Sequence, residues 1–267
     1  MLASVFFGAI VGIISALTGA GGGILAVPLL VFGLNLTLAQ AAPIGLMATG
    51  ASAALGAILA HRQGLVRYRA ATLMALAGMV LTPLGVWAAS RVPTKSLTIL
   101  FALVLAYVGY RTYKKANGVA TGNSIGHAMQ SLPCKLDESI GRLIWTVPCA
   151  RVLAGWGMMV GLLSGMLGVG GGFVIVPTLQ AYTDLDMRSI VPTSLAVIAM
   201  VSIAGVAAST MAGGMNWTVA LPFSGGALLG MVGGRLGGAE LPGVVLQKAF
   251  AGLCIVVASA LIARTVL

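Results

Sequence analysis

The sequence predicts an all-α integral membrane protein built from two inverted structural repeats. Three observations lead there. Hydrophobic residues fill 59% of the 267 positions and charged residues only 7%, whereas a water-soluble domain carries roughly a quarter; so little charge cannot cover a water-facing surface. The apolar residues fall in long runs, close to the 20 or so that a helix needs to cross about 30 Å of hydrocarbon, and lack the alternation of a barrel strand. Finally, the chain repeats itself. Gly19–Pro28 reads GAGGGILAVP and Gly168–Pro177 reads GVGGGFVIVP, 149 positions apart (168 − 19).

The same offset aligns Gly12 with Gly161, Ser15 with Ser164, Pro43 with Pro192, Leu46 with Leu195, Gly56 with Gly205, Gly85 with Gly234 and Phe101 with Phe250. No gap is needed from Gly12 to Arg264, and chance apolar similarity would not keep glycines and prolines in step so far. Residues 1–113 form the first repeat, 114–150 a polar linker and 151–267 the second repeat.

Each repeat opens with a helix, Met1–Leu17 and Arg151–Leu167, that runs into the glycine triplet. Glycine in a helix interior costs about 1 kcal/mol relative to alanine, so the triplet is read as a break. A short apolar helix follows, Ile24–Phe32 and Phe173–Tyr182, only half a bilayer long. Helix one and the short helix are read together as a re-entrant hairpin. Three full spans complete each repeat: Leu38–Ala60, Tyr68–Ser90 and Thr94–Tyr113, then Met187–Met211, Trp217–Leu236 and Leu241–Ala263. Thr37, Asp184 and Asp186 suit helix N-caps.

A hairpin plus three crossings inverts the second repeat. With the linker in the cytoplasm, Arg62, Arg67, Arg69, Arg111, Lys114, Lys115, Lys135, Arg142, Arg151, Arg188, Arg235 and Lys248 lie inside and Arg91, Lys95 and Arg264 outside, 12 against 3 of the 15 basic residues. Four crossings per repeat would give 10 against 5. The excess of cytoplasmic Lys and Arg in membrane proteins favours inversion. The same scatter of single basic residues at the ends of apolar runs explains the +10 net charge without nucleic acid.

Inverted repeats set two helix breaks face to face near the middle of the membrane, where a carrier's site usually sits, with half-helix N-termini turned toward anionic groups. Gly21, Gly22, Gly23 and Gly170, Gly171, Gly172 start the short helices, and their amides supply partial positive charge with no side chain in the way. Close helix packing is the competing use of such glycines, and it suits the row Gly226, Gly230, Gly234, Gly238 and the pair Gly8, Gly12. The five acids, Asp137, Glu138, Asp184, Asp186 and Glu240, sit in the linker or at helix ends, which leaves a cation site nothing to be built from. An anion is therefore expected. Ser15, Thr18, Ser164, Thr49, Thr193 and Ser194 could add donors near the breaks, although each also suits a bond to its own helix. His61 and Arg62 end a span at the expected cytoplasmic face, as interface anchors or as a gate that attracts anions. Cys134, Cys149 and Cys254 are odd in number and scattered, and impose no disulfide framework. No cluster has metal-ligand or catalytic spacing, so no enzyme, metal or cofactor is expected.

The duplicated SALTGAGGGILAVPLL and SGMLGVGGGFVIVPTL, with Pro43 and Pro192 following, resemble the TauE/SafE sulfite exporter family (toluene-sulfonate uptake permeases) over nearly the whole chain. That resemblance implies a multi-pass inner-membrane transporter of small sulfur-containing anions such as sulfite, sulfoacetate or other sulfonates. Export is the commoner direction in the family. The expected activity is a secondary carrier working by alternating access around a midplane site, with a passive anion channel or a non-transporting scaffold of a sulfur-metabolism complex as rivals. The sequence leaves the oligomeric state open.

Overall fold

A computed structural model describes residues 2–18, 22–61, 66–120, 134, 136–137, 142–143, 146–185, 187–237 and 243–266. Ten helices carry this part of the chain: α1 (Leu2–Thr18), α2 (Gly23–Gly33), α3 (Leu38–His61), α4 (Tyr68–Arg91), α5 (Thr94–Ala120), α6 (Val147–Leu167), α7 (Gly172–Tyr182), α8 (Met187–Met211), α9 (Trp217–Gly237) and α10 (Gly243–Val266). Between α5 and α6, β1 (Leu136–Asp137) pairs antiparallel with β2 (Arg142–Leu143), a departure from the all-α expectation by two strands of two residues each. Helix α5 runs seven residues past the predicted Tyr113, because falling hydropathy marks the edge of an apolar run and not the last backbone hydrogen bond.

Six of the described helices are long and apolar enough to cross a membrane: α3, α4, α5, α6, α8 and α9. One of them, α6, is the helix read from sequence as a hairpin arm. Conversely α10, expected as a span, qualifies only as a shorter apolar stretch, Cys254–Ala263, within the described residues.

Glycine decides which helices touch. Along α1 and α9, Val5 meets Gly226, Ala9 meets Gly230 and Ile13 meets Gly234, so the two run parallel in backbone contact. Along α4 and α6, Met74 meets Gly157, Gly78 meets Gly161 and Thr82 meets Gly165, again parallel. A Cβ at Gly161 would lie 2.6 Å from the Gly78 Cα, closer than any side chain tolerates; this is the small-residue packing that lets membrane helices approach where no hydrophobic effect drives them together. Shifting α1 and α9 by 149 positions turns the first pair into the second. The helices α3 and α8, equivalent by the same shift, pack on each other: Leu46 against Gly205, Gly50 against Ser202 and Gly56 against Leu195. These contacts run antiparallel. Helices α5 and α10 also pair, with Gly109 against Cys254. Exposed apolar side chains such as Leu103, Tyr107 and Tyr110 on α5 or Ile255 and Val256 on α10 would be a liability in water and suit contact with lipid.

Each short helix folds back along its predecessor. Gly22 sits against Val11 and Ser15, and Gly33 against Phe7; Gly171 sits against Val160. The ends of α6 and α7 are held together as well. Cys134 is bonded to Cys149 in the first turn of α6, with 5.0 Å between their Cα atoms, and forms a parallel bridge with Thr183, the residue that ends α7. The disulfide corrects the expectation drawn from scattered cysteines. Spacing of 15 residues carries no recognisable motif, and only the return of α7 beside the start of α6 shows why the linker passes there. Cys254 stays free and buried.

Candidate functional site

The turns between α1 and α2 and between α6 and α7 are the tips of these two folded-back pairs, and they meet. A Cβ on Gly23 would touch the Val169 carbonyl, 2.7 Å from its carbon, and stand 2.9 Å from Thr49 Cγ2. Gly170 faces the same place from the other side, with Ile198 Cγ2 3.0 Å and Thr49 Oγ1 3.3 Å from its Cβ position. Helix α3 supplies the floor: Gly168 lies on the backbone of Ala42, and a Cβ on Gly45 would stand 3.2 Å from the Gly168 carbonyl oxygen. Helix α8 contributes Ile198, the repeat equivalent of Thr49 (198 − 149).

Local sequence explains the second tip. Helix α6 stops at Gly168, whose φ of 71° is left-handed and whose N–H bonds the Ser164 carbonyl at 2.8 Å, the usual glycine ending of a helix. Gly170 and Gly171 are left-handed too, at φ 73° and 71°, which residues with a Cβ rarely adopt. Helix α7 then starts with the Gly171 carbonyl accepting from Val174 and Ile175. Among the described residues, no acceptor meets the N–H groups of Gly170, Gly171, Gly172 or Phe173. Free amides at a helix start carry the positive end of the helix dipole.

The first tip differs. Gly22 has φ −58° and ψ 9°, and its N–H donates to Ser15 Oγ at 2.5 Å. Ser15, expected to face a ligand, therefore satisfies the turn itself.

The remaining sequence-predicted residues divide. Thr49 is fully buried at the meeting point and donates to the Gly45 carbonyl at 2.7 Å. Ser164 is fully buried in the last turn of α6. Thr193 lies elsewhere: its hydroxyl bonds Ser189 O and accepts the Arg67 N–H at 3.1 Å, which places it by the α3–α4 connection. Ser194 donates to Val191 O within its own helix. His61 is exposed, with its Nδ1 hydrogen-bonded to the Tyr68 hydroxyl and its ring edge-on to the tyrosine at 5.2 Å. Gly21 and Arg62 lie outside the described residues, as does the side chain of Thr18.

Sequence reasoning missed Ala42, Gly45, Val169 and Ile198, which complete the contact. Ala42 and Gly45 stand within two turns of Thr49, and Ile198 aligns with it in the repeat, so the register held a clue. A cleft of about 270 Å³ lined by Arg151, Val152, Gly155, Trp156, Met159 and Tyr182 opens toward the start of α6, away from the tips. Among the described residues no three His, Cys, Asp or Glu side chains gather to hold a metal.

Residues 4–261 match the family described as sulfite exporter TauE/SafE. The chain belongs to the TauE/SafE family. It is also similar to curated proteins named only as probable membrane transporters. Two come from Xylella fastidiosa: one of strain Temecula1 is 29% identical and one of strain 9a5c 30% identical, each over 89% of this chain and 83% of the relative. The probable membrane transporter protein YunE of Bacillus subtilis is 25% identical over 88% of this chain and 86% of its own. No solved structure matches. This TauE/SafE member is thus a multi-pass membrane protein of a transporter family.

Proposed function

We propose that this chain is a secondary carrier, working as an exporter, of small sulfur-containing oxyanions such as sulfite, sulfoacetate or other sulfonates. The observation that carries the reading is the meeting of two glycine tips inside the bundle, each starting a short helix with unpaired amides, against α3 and α8. Irregular backbone at membrane depth is tolerated only where protein covers it or water and solute reach it. Backbone amides can replace part of an oxyanion's hydration without a buried arginine, which would be costly in hydrocarbon.

The antiparallel packing of α3 on α8 supports two inverted repeats. An axis in the membrane plane reverses equivalent helices, whereas an axis along the membrane normal would leave them parallel. Re-entry is supported by Cys134, which touches both the start of α6 and the residue after α7. On this reading α6 enters deeply, α7 returns to the same side, and α1 with α2 mirrors them from the opposite side. Alternating access would come from moving the tips relative to α3 and α8, so that the anion on the amides faces each side in turn. The family resemblance supports sulfur anions as cargo, and the 12 to 3 distribution of basic residues supports a cytoplasmic linker 114–150 in an inner membrane.

The test is counterflow in proteoliposomes with labelled sulfite or sulfoacetate. A carrier gives saturable flux accelerated by unlabelled anion on the far side. Flux proportional to concentration, without that acceleration, would make the protein a channel. No flux of any of these anions from well-folded protein would leave the scaffold reading.

A further inference from the structure

The two tips are duplicates in sequence and differ in hydrogen bonding. Ser15 and Ser164 hold the same register (164 − 15 = 149), and both are buried, with Ser164 0% exposed. Ser15 Oγ takes the Gly22 N–H. Ser164 Oγ has no hydrogen-bond partner. The cause lies in the backbone. Gly22 keeps a right-handed φ of −58° that turns its amide back onto α1, whereas its equivalent Gly171 is left-handed at 71°. The serine one turn before the break therefore loses the amide that its twin binds, and both the hydroxyl and the amide stay unpaired. Buried threonines of this bundle bond the carbonyl four residues earlier, as Thr49, Thr82 and Thr193 do; Ser202 and Ser224 share the lack of a partner, but only Ser164 stands in the turn before a glycine break. An unsatisfied buried polar group in a native fold calls for an explanation, and an absent ligand is a standard one.

We propose that Ser164 is a ligand of the transported anion: its hydroxyl and the free amides of the second tip together bind the oxyanion, while the first tip, whose Gly22 amide is closed on Ser15 and which among the described residues keeps only the Gly23 and Ile24 amides free, plays the lesser part in binding. The proposal deepens the carrier reading and rests on it. The chemistry fits. A sulfite or sulfonate group presents three oxygens that only accept hydrogen bonds, and Ser164 and the amides of Gly170, Gly171 and Gly172 are all donors. Donors to a charged acceptor are the strong class of hydrogen bond. Thr49, across the gap, has its proton committed to the Gly45 carbonyl, so it shapes the site without donating to it. The two repeats then have unequal duties: one tip supplies most of the donors, the other is a preformed surface against which it closes.

The experiment compares wild type, Ser164→Ala and Ser15→Ala in proteoliposome counterflow and in thermal unfolding of the purified protein with and without sulfite or sulfoacetate. Ser164→Ala is expected to raise KM about tenfold or more, the loss of one charge-assisted hydrogen bond. It should unfold no earlier than wild type, since its hydroxyl has no protein partner, and lose the stabilisation by sulfite. Ser15→Ala is expected to unfold earlier by several degrees with KM within about threefold of wild type, because it strands the Gly22 amide. A wild-type KM in Ser164→Ala overturns the proposal, as does equal loss of affinity in both variants. Wild-type protein that neither transports these anions nor is stabilised by them overturns the carrier reading first, and the proposal with it.

Discussion

Gly23 is the residue through which the first tip touches the second, and adding one methyl there tests that contact directly. In Gly23→Ala the new carbon would stand 2.7 Å from the Val169 carbonyl carbon and 2.9 Å from Thr49 Cγ2. Carbon atoms sit comfortably at about 3.5–4.0 Å, so the tips must part by about 1 Å. The obstacle on the Val169 side is backbone and cannot rotate away. Overpacking of this kind costs about 1–3 kcal/mol, and each kcal/mol lowers the unfolding midpoint of a chain this size by about 2–4 °C. Gly155→Ala is the control: it sits mid-helix in α6 with nothing within 4 Å of the added carbon, where alanine stabilises by about 0.5–1 kcal/mol. Thermal unfolding in detergent should therefore show Gly23→Ala melting below wild type and Gly155→Ala at or above it, and counterflow should fall only in the former. If Gly23→Ala matches wild type in both measurements, the tips do not meet and the proposed site has no foundation.

Two further predictions concern the same architecture. Gly109→Cys should form a disulfide with the native Cys254, whose Cβ lies 3.2 Å from the new Cβ position. In a Cys134→Ser, Cys149→Ser background, oxidation should then hold the two halves together on a non-reducing gel after the linker is cut. Separate fragments would contradict the pairing of α5 with α10. Denatured, unreduced protein should alkylate at Cys254 alone, because Cys134 and Cys149 are bonded. Closing a 15-residue loop is worth about 3 kcal/mol in the chain-entropy account, so the Cys134→Ser, Cys149→Ser double variant should melt lower by several degrees. In whole cells a cytoplasmic linker would keep the pair reduced; because all three thiols are buried in the fold, cells quenched in acid and denatured directly into the alkylating reagent should then show all three cysteines labelled. Labelling of Cys254 alone would instead put the linker on the oxidising side and reverse the proposed orientation.

Much of this fold was legible because it rests on one-dimensional signals. Hydropathy marked the apolar runs, and the helix starts at Leu38, Tyr68, Thr94, Met187 and Trp217 fall where it placed them. The offset of 149 residues paired the helices before any contact was known. Glycine spacing on α9 and at Gly8 and Gly12 named a packing face that α1 and α9 share. The candidate site was half legible, since the triplets located the tips but not their partners. Thr193 follows Pro192 by one residue whereas Thr49 follows Pro43 by six, so the repeat aligns Thr49 with Ile198; those two reach the junction, while Thr193 is carried toward Arg67.

Composition and periodicity by themselves determined a helical membrane protein with a duplicated, glycine-broken interior, since those properties depend only on the order of apolar and small residues along the chain. Only the tertiary structure decided that α6 packs beside α4 while α7 folds back to its start, that Cys134 reaches Cys149, and that Ser15 is spent on its own turn while Ser164 is left unpaired. Each of these depends on where a backbone points after a glycine. Because glycine admits both signs of φ, identical letters at Gly22 and Gly171 can turn the chain in two different ways, and the surrounding helices choose between them.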